Sequence, residues 1–241
     1  MKTLIVVPTY NERENIERLL DRVLAVADAI EVLVVDDNSP DGTAAAVAAY
    51  MQKNSRVHIL NRPGKQGLGP AYIAGFRWAL ARDYEVIMEM DADLSHRPRY
   101  LPAFLETIQR CDIAVGSRWV RGGKIANWPF HRVWLSRMAS LYSRLILGIH
   151  VRDMTAGFIA YRREVLENLN LETIRADGYS FQIEMKYRAY QRGYKICEIP
   201  ITFTDRRIGQ SKISRRIVFE ALLLVWFLRF SPKPAAPARS R

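Results

Sequence analysis

Two aspartates one residue apart, Asp91 and Asp93, close an apolar run, Val86-Ile87-Met88-Glu89-Met90. A short apolar run of this kind reads as a buried strand of a parallel sheet. In open α/β sheets, ligands gather just beyond the carboxyl ends of the strands. Two carboxylates held there call for a compensating charge, which a divalent cation carrying phosphates supplies. A solvated turn is the plain alternative, since Asp is common after strands. Two further polar strand ends favour the first reading: Pro8-Thr9-Tyr10-Asn11-Glu12 and Asp36-Asp37. A tyrosine can stack on a base, and carboxylates can accept from base or ribose donors. The three segments together make a workable nucleotide-diphosphate cradle. It is not the Rossmann arrangement, because no G-x-G-x-x-G follows the first strand. Nor is it a Walker loop, because Gly64-Lys65-Gln66-Gly67-Leu68-Gly69 lacks the final G-K-[ST].

The elements that must position these groups follow from hydrophobic period. Strands are predicted at residues 3–7, 31–35, 57–60, 86–90 and 113–115. Helices are predicted near residues 16–24, 43–52, 69–82 and 99–110. Alternation with short loops argues for a mostly parallel, doubly wound α/β sheet, with all three polar strand ends on one edge. The second half is less regular: a basic, Trp-rich loop, a helix over 135–147, a strand near 158–161, a helix over 181–192 and a strand over 196–203. A last helix, 214–229, is apolar on nearly every side from Ile217 to Leu228 apart from Glu220. Twelve helical residues rise roughly 18 Å against a bilayer core of roughly 30 Å, so this helix is read as interfacial or partner-docked. The expected organisation is a catalytic domain over 1–213, the apolar helix over 214–230 and a disordered basic tail over 231–241.

Bulk composition narrows the partners. The chain has 241 residues, 49% hydrophobic, with a net charge of +11. That charge favours anionic partners: nucleic acid, lipid headgroups or phosphorylated substrates. Cys111 and Cys197 have no metal or redox spacing and read as buried thiols of a reducing compartment. The apolar stretch at 4–7 is too short for a signal-peptide core.

The motifs P-T-Y-N-E-R-E-N-I, V-V-D-D-N-S-P-D-G-T, G-L-G-P-A-Y-I-A-G-F and D-A-D-L-S-H-R-P occur in order. Downstream come G-S-R at 116–118, S-R at 136–137, D-M-T-A-G-F at 153–158, G-Y-S-F-Q-I-E-M at 178–185 and D-R-R-I-G-Q-S-K at 205–212. Over roughly residues 3–215 the chain resembles the dolichol-phosphate and polyprenyl-phosphate mannose synthases of glycosyltransferase family 2. The resemblance implies a GT-A fold, a GDP-mannose donor, a Mg²⁺ or Mn²⁺ ion and a polyprenyl (dolichyl) monophosphate acceptor. It also implies residence at the cytoplasmic face of a membrane, with a small membrane subunit as a potential partner. By position, Pro8, Tyr10, Glu12, Val35 and Asp37 would contact guanosine, and Asp91, Ala92 and Asp93 would border ribose and diphosphate. Asp93 would bind the metal, supported by Asp91 and the Ser95 hydroxyl. Arg118, Arg206 and Lys212 would work on phosphate, with Arg132, Ser136 and Arg137 on the acceptor phosphate. For each cation a solvated basic face is the alternative.

A lipid monophosphate is already anionic near neutrality, its second pKa lying near roughly 6, so no strong general base is required. His58, His131 and His150 are then structural or surface residues, and His96 orients the metal loop. Ile159, where relatives are often basic, and Met138, where a glycine is common, depart from the pattern in the acceptor region. Two rivals stand beside this reading. One is transfer of glucose or another sugar from a UDP-sugar to polyprenyl phosphate. The other is a catalytically inactive basic adaptor for membrane or nucleic acid, which carboxylates at three strand ends disfavour on a phosphate backbone. A processive polysaccharide synthase lacks support, because Ala74 stands where the Gln of Q-x-x-R-W would precede Arg77-Trp78.

Overall fold

The computed structural model describes residues 1–174, 176–205 and 215–231. Along the chain, β1 (Thr3–Thr9), α1 (Arg13–Leu24), β2 (Ile30–Asp36), α2 (Thr43–Met51), β3 (Val57–Asn61), α3 (Leu68–Leu80) and β4 (Val86–Glu89) alternate. Then come α4 (Leu101–Thr107), β5 (Ile113–Ser117), β6 (Lys124–Ala126), α5 (Phe130–Leu147), β7 (Ile159–Arg162), α6 (Arg163–Asn168), α7 (Gly178–Gln191), β8 (Ile196–Pro200), β9 (Thr202–Thr204) and α8 (Arg215–Phe230).

Seven strands form one sheet in the order β3-β2-β1-β4-β7-β5-β8. The order shows why β1 is apolar at every position from Leu4 to Val7: it lies inside the sheet and both its faces are covered. Leu4 and Val6 pack into one core with α3 and α7, while Ile5 and Val7 pack into the other with α1, α2 and α4. This is the period-two alternation of a strand sandwiched between two helical layers. Helix α1 buries Ile16, Leu19, Leu20, Val23 and Leu24 against that second core, as their spacing requires. Ahead of α2, Gly42 takes φ +86°, and the Asp41 carboxylate accepts from the Thr43 N–H at 3.0 Å and its hydroxyl at 2.6 Å. That fixes the D-G-T turn beyond β2.

Every strand of this sheet is parallel to its neighbours except β7, which runs antiparallel between β4 and β5. The loop that enters β7 therefore emerges on the same edge as the loops that leave β1, β2, β4 and β5. The apolar run at 196–203 does not stay in one strand. Ile201 donates to the Ser117 carbonyl at 3.1 Å, after which β9 leaves the sheet and pairs with β6, an element with no clear periodicity of its own. Helix α5 begins at Phe130, directly after Pro129, five residues before the expected start.

The two cysteines correct the sequence reading. Cys111 and Cys197 are joined in a disulfide with Cα atoms 6.1 Å apart. Strands β5 and β8 are neighbours, and their register sets Ala114 beside Cys197, which brings residues 86 positions apart into contact. Spacing along the chain carries no sign of that pairing.

A third apolar cluster lies under α8, where Val225 and Leu228 meet Leu147, Ile149, Ile183 and Tyr187. The opposite side of α8 exposes Leu223, Trp226, Phe227 and Phe230, and α5 beside it exposes Phe130, Trp134, Met138, Leu141 and Leu145. Among the described residues, no helix is long and apolar enough to cross a membrane. The predicted tail at 231–241, apart from Ser231, and the loop at 206–214, with Arg206 and Lys212, lie outside the described residues.

Candidate active site

The expected alignment of strand ends is present. Thr9 of β1 lies opposite Asp36 of β2, while β4 ends at Glu89 opposite Val6, and the Met90 N–H still donates to the Val6 carbonyl at 3.2 Å, so the Asp91–Asp93 loop leaves β4 alongside the last residues of β1. Beyond this edge opens a cavity of about 460 Å³, within the usual range for small-molecule sites. Pro8, Tyr10, Glu12, Asp37, Asp91, Ala92, Asp93, Arg118 and Arg132 all line it. Val35 does not; it is fully buried in the core of β2. Ser95 is buried and does not line the cavity, Ser136 is half-buried beside Thr155, and Arg137 is exposed on α5.

The paired aspartates of β2 have separate jobs. Asp36 is fully buried and accepts from the Thr9 hydroxyl at 2.8 Å and from the Ser39 hydroxyl and N–H at 2.6 and 2.8 Å, so it braces the loops. Asp37 faces the cavity with the Arg62 guanidinium 2.8 Å away, a contact not aligned as a hydrogen bond. Burial pushes the Asp37 carboxyl above its ordinary value, and Arg62 only partly offsets this. The Asp37 carboxylate lines the cavity as an acceptor, which suits the N–H edge of a base. Lys65 Nζ sits 4.5 Å from the centroid of the Tyr10 ring, a cation–π contact at the cavity wall.

The metal motif is built by its own loop. The Ser95 N–H donates to Asp93 Oδ1 at 3.0 Å, while the Ser95 hydroxyl is buried without a hydrogen-bond partner. The Asp91 N–H donates to His96 Nδ1 at 3.1 Å, which leaves the proton on Nε2, 3.8 Å from Asp91 Oδ2. His96 is buried, stacked on Phe158 and edge-on to Phe203. These contacts tie the ring to the first residue of the metal loop. Below, Glu89 is driven up to about 7 by burial, with the Tyr161 hydroxyl donating at 2.8 Å and the Gln182 amide also donating. Among the described residues no group of three or more His, Cys, Asp or Glu could hold a metal. Two carboxylates and an orphaned hydroxyl do fit a hard cation that takes its remaining oxygens from a diphosphate and water.

Arg118 lines the cavity and does not belong to a solvated basic face. It is buried, with Nε 2.8 Å and Nη2 2.7 Å from the two oxygens of Asp153, and Nη2 also donates to the Thr155 hydroxyl at 2.8 Å. Burial acts against its charge, but Asp153 outweighs that and raises its pKa. Its positive charge is thus largely matched, and it offers the cavity a directed N–H edge. Arg132 pairs with Asp205 at 3.1 Å and lies 4.0 Å over the Trp128 ring, its Nε buried without a hydrogen-bond partner.

Sequence reasoning noted D-M-T-A-G-F without seeing that Asp153 and Thr155 grip Arg118. It also missed Asp177, whose Oδ1 accepts from the N–H groups of Gly69 at 2.8 Å and Gly178 at 2.7 Å, tying the starts of α3 and α7 at the cavity wall. Gly67 has φ +107°, and a Cβ there would run into Asp177. The glycines at 67 and 69 were the signal for this close approach.

Comparison with known proteins completes the description. The sequence model described as glycosyl transferase family 2 matches residues 4–169. Over 232 residues the chain is 47% identical to the polyprenol monophosphomannose synthase of Mycolicibacterium smegmatis, covering 95% of this chain and 88% of that one. Over 225 residues it is 47% identical to the undecaprenyl-phosphate mannosyltransferase of Micrococcus luteus, covering 93% of each. The solved mannosyltransferase PcManGT of Pyrobaculum calidifontis, in complex with GDP-Man and Mn²⁺, superposes with a TM-score of 0.65 at 21% identity, covering 97% of this chain and 66% of that one. That likeness shows the fold, GT-A.

Proposed function

This chain belongs to glycosyl transferase family 2, and on that footing we propose that it moves mannose from GDP-mannose to a polyprenyl monophosphate, giving polyprenyl-phosphate β-mannose and GDP. The observation that carries the reading is near-full-length 47% identity to two polyprenyl-phosphate mannose transferases. A cavity lined by both carboxylates and arginines is consistent with it.

In this reading Tyr10, Glu12 and Asp37 bind the guanosine end, with Pro8 and Ala92 closing around it. Asp91 and Asp93 would hold Mg²⁺ or Mn²⁺ near the diphosphate. When bound, the ion would neutralise the donor's phosphates and stabilise the departing GDP. Arg118 and Arg132 would draw the acceptor phosphate in, together with Arg206 and Lys212. Such fixed donors matter most where charge shifts during reaction. No residue has to remove a proton from the acceptor, and a single in-line displacement inverts the anomeric carbon.

The acceptor's lipid tail requires work at a membrane surface. The exposed apolar sides of α5 and α8 support that placement, as does the +11 charge. A small membrane subunit could use the same face. The test is incubation with GDP-[¹⁴C]mannose, polyprenyl phosphate and Mg²⁺ or Mn²⁺, followed by organic extraction. Label should enter the organic phase; label entering only from UDP-glucose would favour the other sugar, and none from either would refute the reading.

A further inference from the structure

Lys186 is a buried ion that none of the steps above uses. It lies on α7 with no exposed surface, and burial lowers its pKa to about 8. Its ammonium donates to the carbonyls of Ala156 at 2.7 Å, Met154 at 3.1 Å and Gln182 at 3.3 Å. A charged amine with no solvent needs a compensating reason to be there.

The reason lies in the segment to which two of those carbonyls, Met154 and Ala156, belong. Residues 152–156 are held from three directions. Glu198 of β8 accepts the N–H groups of Arg152 at 2.8 Å and Asp153 at 2.9 Å. Lys186 takes the carbonyls of Met154 and Ala156. The side chains between them, Asp153 and Thr155, are left for Arg118, and the Thr155 hydroxyl lies 3.5 Å from that of Ser136. An anionic clamp takes the backbone donors and a cationic clamp takes the acceptors, so the segment has little freedom to rotate.

We infer that Lys186, with Glu198, is a positioning residue that sets the direction of Arg118 by holding Asp153 and Thr155, and so controls the grip on the acceptor phosphate. Lys186 itself does not touch substrate. The inference rests on the proposed mannosyl transfer for its kinetic test and on the protein alone for its structural one.

Lys186→Met keeps the side chain's length and removes the charge and the donors. The expected result is a fall of about 30-fold in kcat/KM for polyprenyl phosphate, with the KM for GDP-mannose and the affinity for GDP within about threefold of wild type. In the double variant with Arg118→Lys, the losses should not multiply, because both changes act on one interaction. Acceptor kinetics unchanged in K186M, or losses that multiply, overturn the inference. Should K186M fail to bind GDP, Glu198→Ala carries the test, since it releases the same segment from a half-buried position; the same acceptor-only loss is expected, and unchanged kinetics overturn it. Hydrogen exchange of the amides at 152–156 needs no substrate. It should quicken in the folded variants, and unchanged protection refutes the inference even if wild type proves to transfer no mannose.

Discussion

Arg118 and Asp153 meet in a two-point ion pair, Nε to Oδ2 at 2.8 Å and Nη2 to Oδ1 at 2.7 Å, with both side chains almost wholly out of solvent. The Arg118 backbone N–H adds a third bond to Oδ2 at 2.9 Å. One carboxylate thus fixes both the strand end and the guanidinium it carries.

Asp153→Asn leaves Arg118 buried without its counter-charge and should cost about 3–5 kcal/mol in denaturant unfolding at neutral pH. Burial works to raise the Asp153 pKa, but Arg118 outweighs it and holds the carboxyl below its ordinary 3.8. A depressed folded-state value means the pair stabilises fully above that ordinary value and loses its contribution as pH falls through the folded one. The gap between wild type and variant should therefore be constant near neutrality and shrink in strong acid.

Asp93→Ala should lower mannose transfer by about 100-fold or more while the protein stays folded, because the residue is half-exposed at the cavity edge, outside the apolar cores. Calorimetry should find GDP affinity no longer improved by Mn²⁺. Full metal dependence in the variant would remove Asp93 from the metal site.

Leu145→Asp on α5 and Phe227→Asp on α8 change side chains that are 74% and 70% exposed. Stability should move by less than about 0.5 kcal/mol. Co-sedimentation with anionic vesicles should drop, and binding by wild type should weaken as salt rises. Equal vesicle binding by the double variant would place the membrane face elsewhere.

Cys111→Ser breaks the only disulfide among the described residues and should lower stability by about 2–4 kcal/mol. Transfer activity at low temperature should persist, since neither cysteine lines the cavity. Mass spectrometry after alkylation without reductant checks the bond directly: an unmodified chain is expected, and two labelled thiols would contradict it.

The sequence marked the half of the cavity proposed for the donor, Val35 excepted. The strand ends of β1, β2 and β4 were legible because apolar runs and polar stops mark a parallel sheet along the chain itself. The acceptor half was less so. Arg118 was found by its motif, but its neutral pairing with Asp153 joins residues 35 positions apart through the tertiary fold. The direction of β7 left no periodic trace, since a buried strand reads alike in either sense. Lys186 sits in a helix whose residues are buried almost all round, so amphipathic spacing could not single it out.

The reversed strand β7 also divides labour across the sheet. On one side lie β2, β1 and β4, whose tips carry the residues proposed for the nucleotide; on the other lie β5 and β8, with the separate β6–β9 pair, near the residues proposed for the lipid phosphate. A single backward strand makes a seam between the two halves. Residues that choose the base and residues that choose the polyprenol can then drift independently, and a hybrid cut at this seam would exchange one preference while keeping the other.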